Sequence, residues 1–246
     1  MVPIDQLIAG ARELRQRLGR PLVTLSYAQS LDGCIAARAG ERLTLSGPES
    51  MRLTHQLRAA HSAILVGIGT VVADDPRLTV RLVQGQDPQP IVLDSHLRFP
   101  LEASLLQNPH RPWIACLENA DLQKSAELES LGACLLRLPA DSTGGVSLPA
   151  LLERLAGLEI NSLMVEGGAT VISTFLSLNL VDRIVVTIAP VLLGGLRAVS
   201  QDVFTVRNVW QPGLPGSPHP YPRMREAGVE RLGEDIIVWG SLNPDG

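Results

Sequence analysis

The sequence predicts an α/β protein with a mixed, mostly parallel central sheet that ends in an antiparallel hairpin. Short runs that are nearly all apolar, such as AILVG at 63–67 and SLMV at 162–165, recur along the chain. Strands of that kind are buried on both faces, as in a parallel sheet covered by helices. Between them lie stretches with helical spacing of apolar residues, and the intervals are too long for hairpins. Only near the end, in AGVERLGEDIIVWG (227–240), do two strand-like runs meet across a short turn, at Gly233 and Glu234.

Each element has its own signal. Ile4, Leu7, Ile8, Ala11, Leu14 and Leu18 form one helical stripe, and Gly19 is a stop, so a helix is predicted over 4–18. LVTLSYA after Pro21 reads as a buried strand. Ser46 and Glu49 stand in capping-box spacing with Pro48 between them, which starts a helix running to about Ala60 with Leu53, Leu57 and Ala60 inward. SAILVG, PIVLD and PWIACL are the next strands, followed by a helix over 122–131, the strand ACLLRL, a helix over 148–158 and the strand SLMVEG. A helix over 169–178 leads into RIVVTIAP, and the proline- and glycine-rich stretch 208–223 reads as a long loop. With no linker, repeat or low-complexity tract, the 246 residues are predicted to form one domain.

Composition narrows the function. The chain is 45% hydrophobic and 19% charged, with no apolar run near the roughly 20 residues that cross a bilayer. Its first residues mix charged and apolar side chains, unlike the apolar centre of a secretion signal. A net charge of −4 argues against a nucleic-acid surface, and three Trp, two Tyr and three Phe offer few platforms for stacked bases. Cys34, Cys116 and Cys134 are scattered, and no CxxC, HxH or HExxH occurs, so no metal site is expected and a reducing cytoplasm fits.

Two strand-to-helix junctions carry glycine. In VEGGATVIS (165–173), Gly167 and Gly168 allow close backbone approach at a helix start with free N–H groups. This suits a diphosphate, and it equally suits a plain tight turn. VGIGT (66–70) has GxG without the third glycine of a dinucleotide fingerprint. Arg58 and Arg81 offer planar forks for phosphate capture, or are solvated surface residues.

SLDG (30–33), LRAAHSAILVGIGTVVADDPRLTVR (57–81), VLDS (92–95), VEGGAT (165–170) and LVDRIVVTIAPVLLGG (180–195) occur in that order. Together they resemble the reductase domain of riboflavin biosynthesis, a pyrimidine reductase related to dihydrofolate reductase. The resemblance runs from about residue 21 to the C-terminal hairpin, leaving 1–20 as a helical extension, and its TVxADDPxLTxR block is its most specific part. It implies a dihydrofolate-reductase-like three-layer α/β/α fold, a homodimer and NADPH-dependent reduction of a phosphoribosylamino-pyrimidine, with hydride delivered to sugar C1′. By the same resemblance Ala28, Thr70, Asp74 and Ser95 touch NADPH, and 167–174 (Gly167, Gly168, Ala169, Thr170, Val171, Ile172, Ser173 and Thr174) hold its diphosphate. Arg58, Leu78, Arg81 and Glu166 face the substrate, with Asp74 and Glu166 the carboxylates of the reaction centre. Asp75 is left as a turn or helix-end cap.

The chain departs from bacterial members at four positions. Thr44 replaces a tryptophan and is carried as a cofactor contact. Arg42 replaces a substrate-binding serine and is carried as a substrate contact. Ser26 replaces a lysine, and Cys34 replaces a basic residue. These changes point toward archaeal and fungal relatives, which reduce before they deaminate. The HxE and PCxxC of the zinc deaminase that accompanies bacterial reductases are not in the sequence, so reductase alone is expected. A pterin reductase and a non-catalytic nucleotide-binding protein on the same fold are the alternatives.

Overall fold

A computed structural model describes residues 2–41, 43–200 and 222–242. Arg42 and the greater part of the loop expected over 208–223 lie outside the described residues. In chain order the elements are α1 (Ile4–Ile8), α2 (Ala11–Leu18), β1 (Leu22–Ser30), β2 (Cys34–Ala36), α3 (Pro48–Ala60), β3 (Ala63–Gly67), α4 (Ile68–Asp74), β4 (Gln89–Leu93), a 3-10 turn (Ser104–Gln107), β5 (Trp113–Leu117), α5 (Leu122–Ser130), β6 (Cys134–Leu138), α6 (Leu148–Gly157), β7 (Ser162–Val165), α7 (Ala169–Ser177), β8 (Arg183–Ala189), β9 (Leu196–Arg197), β10 (Arg225–Leu232) and β11 (Asp235–Ser241).

The main sheet has the order β10-β11-β8-β1-β7-β3-β4-β5-β6. From β8 to β6 every neighbouring pair is parallel, while β11 runs antiparallel to both β8 and β10. Leu232 pairs with Asp235, so the hairpin turns at Gly233 and Glu234 as expected. Strand periodicity separates the two faces. In β3, Ala63 and Leu65 join Leu151, Leu155, Ile172 and Phe175 of α6 and α7 on one side. Ile64 and Val66 face the other side, with Ile68 and Val71 of α4 and Leu128 of α5. The second face continues under α3, where Leu53 and Leu57 meet Met164, Val185 and Ile237 together with Val2 and Leu7. The N-terminal extension is thus built into the same core. These layers are the α/β/α arrangement.

Two local expectations are corrected. The helix over 4–18 is broken into α1 and α2 at Gly10, whose φ of 72° lies in the left-handed region that glycine enters without penalty. The Ser46–Glu49 capping box does not form. The N-cap of α3 is Gly47, and its N–H donates to Asp235 Oδ2 at 2.8 Å. Four elements had no sequence signal: α4, the 3-10 turn and the two strands of a small β2–β9 sheet. The aspartate of SLDG is what steadies that sheet. Asp32 accepts from Leu193 N (3.0 Å), Gly194 N (2.6 Å) and Ser30 Oγ. These donors, the Ser30 hydroxyl foremost, hold its carboxyl well below the usual range. A Cβ at Gly195 would sit 2.2 Å from Ala36 O, so only glycine lets the two short strands meet.

His61 ties α3 to the sheet. Its Nδ1 lies 2.6 Å from Leu57 O and its Nε2 2.8 Å from Thr24 Oγ1. A carbonyl only accepts, so Nδ1 carries the proton and Nε2 accepts from the threonine hydroxyl. Burial pushes the imidazole down from 6.5 to about 4. The unfolded chain therefore binds more protons across that window, and stability must rise with pH. Denaturant melts are expected to show stability complete above about pH 6.5 and lost as pH falls toward 4, by up to about 3 kcal/mol from this residue. A His61→Gln variant should have a flatter profile there. An equally steep one would assign the loss to other groups.

Candidate active site

A cleft of about 1000 Å³ opens across the carboxyl ends of β1, β3, β4 and β7. Ligands of parallel α/β sheets gather at such ends. Because β3 and β7 are paired, the helices that follow them, α4 and α7, start side by side. Their N-caps, Gly67 and Gly168, provide no side-chain cap, so the first N–H groups of α7 face the cleft with the positive end of its dipole.

The glycines divide the work. A Cβ on Gly67 would stand 2.8 Å from Val171 Cγ2, and one on Gly167 would stand 2.5 Å from Val171 Cβ. These two let the helix starts close on Val171. A Cβ on Gly168 would meet only Thr70 Oγ1, at 3.9 Å. Gly168 also has φ −74° and ψ 177°, which any residue adopts. The fold does not require glycine there. The space in front of it is what an approaching diphosphate needs, so the residues present fit a nucleotide cofactor.

Of the residues expected at the cofactor, Ala28, Thr44, Thr70, Asp74, Ser95, Gly167, Gly168, Ala169, Thr170, Val171 and Thr174 line the cleft. Ile172 and Ser173 do not. Both are fully buried, Ile172 in the core and Ser173 accepting from Ser200 N at 2.9 Å. Ser95 Oγ accepts from Val146 N at 3.1 Å and so fixes the Asp141 to Val146 loop as a cleft wall.

On the substrate side, Arg58 and Glu166 both line the cleft and are bound to each other. Arg58 Nε donates to Glu166 Oε1 at 2.7 Å, and Nη2 donates to Oε2 at 2.6 Å. Both side chains are mostly buried, at 11% and 17% exposure, and Arg58 Nη1 donates to Thr79 O at 3.3 Å. The pair corrects the expectation of Arg58 as a free phosphate fork: its charge is already matched. It makes Glu166 an oriented acceptor, since bidentate contact fixes the carboxylate plane. Leu78 and Arg81 do not line this cleft. Leu78 is buried in the core at φ 54°, and Arg81 is exposed with Nη1 donating to Thr79 Oγ1 at 2.8 Å.

The adjacent aspartates separate as expected in position but not in partner. Asp74 ends α4 and lines the cleft. Asp75, at φ 42°, accepts from Ser104 N (2.8 Å) and Ser104 Oγ (2.6 Å), holding the start of the distant 3-10 turn. Asp75→Ala is expected to cost about 1 kcal/mol of stability, as a lost cap does, with turnover kept. Asp74→Asn should impair turnover more than stability. Kinetics and denaturant melts together would reveal exchanged roles.

Several cleft residues carry no sequence signal, and among them Tyr27 has the chemistry of a donor. Burial pushes its phenol up to about 12, so it stays protonated as a hydrogen-bond donor. Among the described residues, no group of three His, Cys, Asp or Glu side chains is arranged to hold a metal, and no helix is long and apolar enough to cross a membrane.

Sheet order, crossovers and helix starts define a class: an α/β protein with an open cleft across the carboxyl ends of its parallel strands. Residues 21–238 match the family described as RibD C-terminal domain, and the chain belongs to it. It is similar to the 2,5-diamino-6-ribosylamino-4(3H)-pyrimidinone 5′-phosphate reductase of Methanothermobacter thermautotrophicus, 41% identical over 179 residues, covering 72% of this chain and 81% of that protein. The riboflavin biosynthesis protein RibD of Aquifex aeolicus is 34% identical over 229 residues, which cover 89% of this chain and 57% of that longer protein. Among solved structures, Acinetobacter baumannii RibD superposes with a TM-score of 0.75 at 28% identity, over 94% of this chain and 60% of that one. The Saccharomyces cerevisiae riboflavin biosynthesis reductase Rib7 superposes with a TM-score of 0.70 at 26% identity, over 98% and 99%.

Proposed function

We propose that this protein is an NADPH-dependent reductase that converts a phosphoribosylamino-pyrimidine to its ribitylamino product in riboflavin biosynthesis. The observation that carries the reading is the open space before Gly168, at the start of α7, within reach of the fixed Glu166 carboxylate in one cleft. NADPH, when bound, supplies the hydride that reduces the ring-opened imine at sugar C1′, while one proton goes to the imine nitrogen. The chain's part is to hold and orient. The N–H groups of α7 and the hydroxyl of Thr70 receive the diphosphate, and Ala28, Thr44, Asp74 and Ser95 line its path. Glu166, held by Arg58, accepts from pyrimidine N–H groups. Tyr27 has an O–H to donate within the same cleft. Arg81 does not line the cleft, but its exposed guanidinium lies close enough to the cleft residue Arg58 for the two charges to repel, and on that closeness it is proposed for the substrate phosphate. Excluding water from the imine and fixing its distance supply most of the acceleration.

The amino pyrimidine is the preferred substrate in this reading. Two archaeal relatives whose names specify the diamino compound are 39% and 41% identical to this chain. A homodimer is also proposed, supported by the edge strand β10 with Val229 at 67% exposure and testable by sedimentation. Residence in the cytoplasm suits the free thiols of Cys34, Cys116 and Cys134. Purified protein should oxidise NADPH with the 2,5-diamino substrate faster than with its deaminated counterpart, and not with dihydrofolate. Turnover of dihydrofolate would favour a pterin reductase. NADPH binding without oxidation by any of the three would favour a non-catalytic protein.

A further inference from the structure

One face of α3 grips the chain segment 79–82 by side chain to backbone bonds. Arg52, His55 and Arg58, three residues apart, align on that face. Arg52 Nη1 donates to Leu82 O at 3.0 Å, His55 Nδ1 accepts from Arg81 N at 3.0 Å, and Arg58 Nη1 donates to Thr79 O at 3.3 Å. The segment is outside any strand, so these bonds, with Val80 N donating to Asp87 Oδ1 at 2.7 Å, set its course. The central bond is the buried one, since His55 is 1% exposed. An amide N–H only donates, so Nδ1 must be bare and the ring proton must sit on Nε2.

We propose that His55 is a positioning residue that holds Arg81 in register for the substrate phosphate, and does so only while its Nδ1 is unprotonated. The inference rests on the assignment of Arg81 to that phosphate. A proton on Nδ1 would face the Arg81 N–H donor to donor and release the segment. The charged groups around the ring are Arg58 on the same helix, Arg81 on the gripped segment, Asp87 beyond it and Glu166 from the end of β7. Burial, then the two arginines, outweigh the two carboxylates and hold the imidazole below its ordinary 6.5. Release therefore belongs to acid pH, and the neutral protein keeps the grip.

The test compares KM for the phosphorylated substrate, kcat, NADPH Kd and thermal melts for the wild type, His55→Asn, His55→Leu and Arg81→Ala. Asparagine places an acceptor oxygen where Nδ1 sits but does not titrate, whereas leucine removes the acceptor. His55→Leu is expected to raise KM about tenfold, the scale of one lost bond to a charged-ligand site, with NADPH Kd unchanged. His55→Asn should keep the neutral KM. As pH falls through the acid range, its KM should rise only as far as the substrate phosphate's own ionisation requires, with pKa near 6, and the wild type should rise further below the ordinary imidazole range. A folded His55→Leu with wild-type KM, beside an impaired Arg81→Ala, would overturn the inference alone, as would an Asn variant that tracks the wild-type acid limb. Unchanged KM in Arg81→Ala would overturn the phosphate assignment and the inference with it.

Discussion

Gly168→Val is expected to weaken NADPH binding about ten- to a hundredfold or more while the protein stays folded. The added Cβ would project into open cleft, 3.9 Å from Thr70 Oγ1, so it meets no core atom. The backbone at φ −74° and ψ 177° accepts a β-branched residue. The cost to the fold is the poorer N-cap, on the order of 1 kcal/mol or less. The ligand loses more. Each hydrogen bond from an amide to a charged oxygen contributes about 1.5–3 kcal/mol, and a valine in that position keeps the diphosphate from the first turn of α7. Fluorescence titration of NADPH beside a thermal melt separates the effects. Native affinity in a folded variant would place the diphosphate elsewhere.

Asp182→Ala is expected to destabilise the protein by about 3–5 kcal/mol without a direct effect on chemistry. Asp182 is fully buried and accepts from Arg20 Nη1 at 2.7 Å and Nη2 at 2.8 Å, and from Val23 N at 2.8 Å. Its own N–H donates to Val23 O at 3.0 Å. One side chain thus fastens the start of β8 to the start of β1 and anchors Arg20. Removing it leaves a buried N–H unpaired and a guanidinium, 17% exposed, that must turn to water. That partial exposure places the effect toward the lower end of the range. Arg20→Ala, which leaves a buried carboxylate with the Val23 N–H but without its cation, should have an effect of similar size. Losses below about 1 kcal/mol in denaturant melts would make this an ordinary surface pair.

The sheet was legible because burial on both faces leaves strands nearly all apolar, as in AILVG and SLMV. The glycine junction at the cleft was legible because a strand, two glycines and a helix start are contiguous in sequence. What failed to show were contacts made between distant parts of the chain. Ser46 and Glu49 have the right spacing for a cap, but Asp235 arrives from the hairpin to take the Gly47 N–H. Asp75 caps Ser104 rather than its own turn. The Arg58–Glu166 pair forms only because β3 and β7 are neighbours, and it already matches the charge of Arg58. Within 167–174, helix geometry at 100° per residue puts Ile172 opposite the side lined by Thr170, Val171 and Thr174. Ser173 falls between Ala169 and Thr170 by the same count, and its burial against Ser200 N is another contact from a distant part of the chain.

The most direct measurement is isotopic. NADPH carrying deuterium at the transferable position of nicotinamide C4 is mixed with the 2,5-diamino phosphoribosylamino-pyrimidine, and the product is analysed by mass spectrometry and NMR. One deuterium at C1′ of a ribityl chain is the expected result, and Gly168→Val should slow its appearance at limiting NADPH. Deuterium in the pyrimidine ring, or NADPH consumed without a ribityl product, would contradict reduction at the sugar.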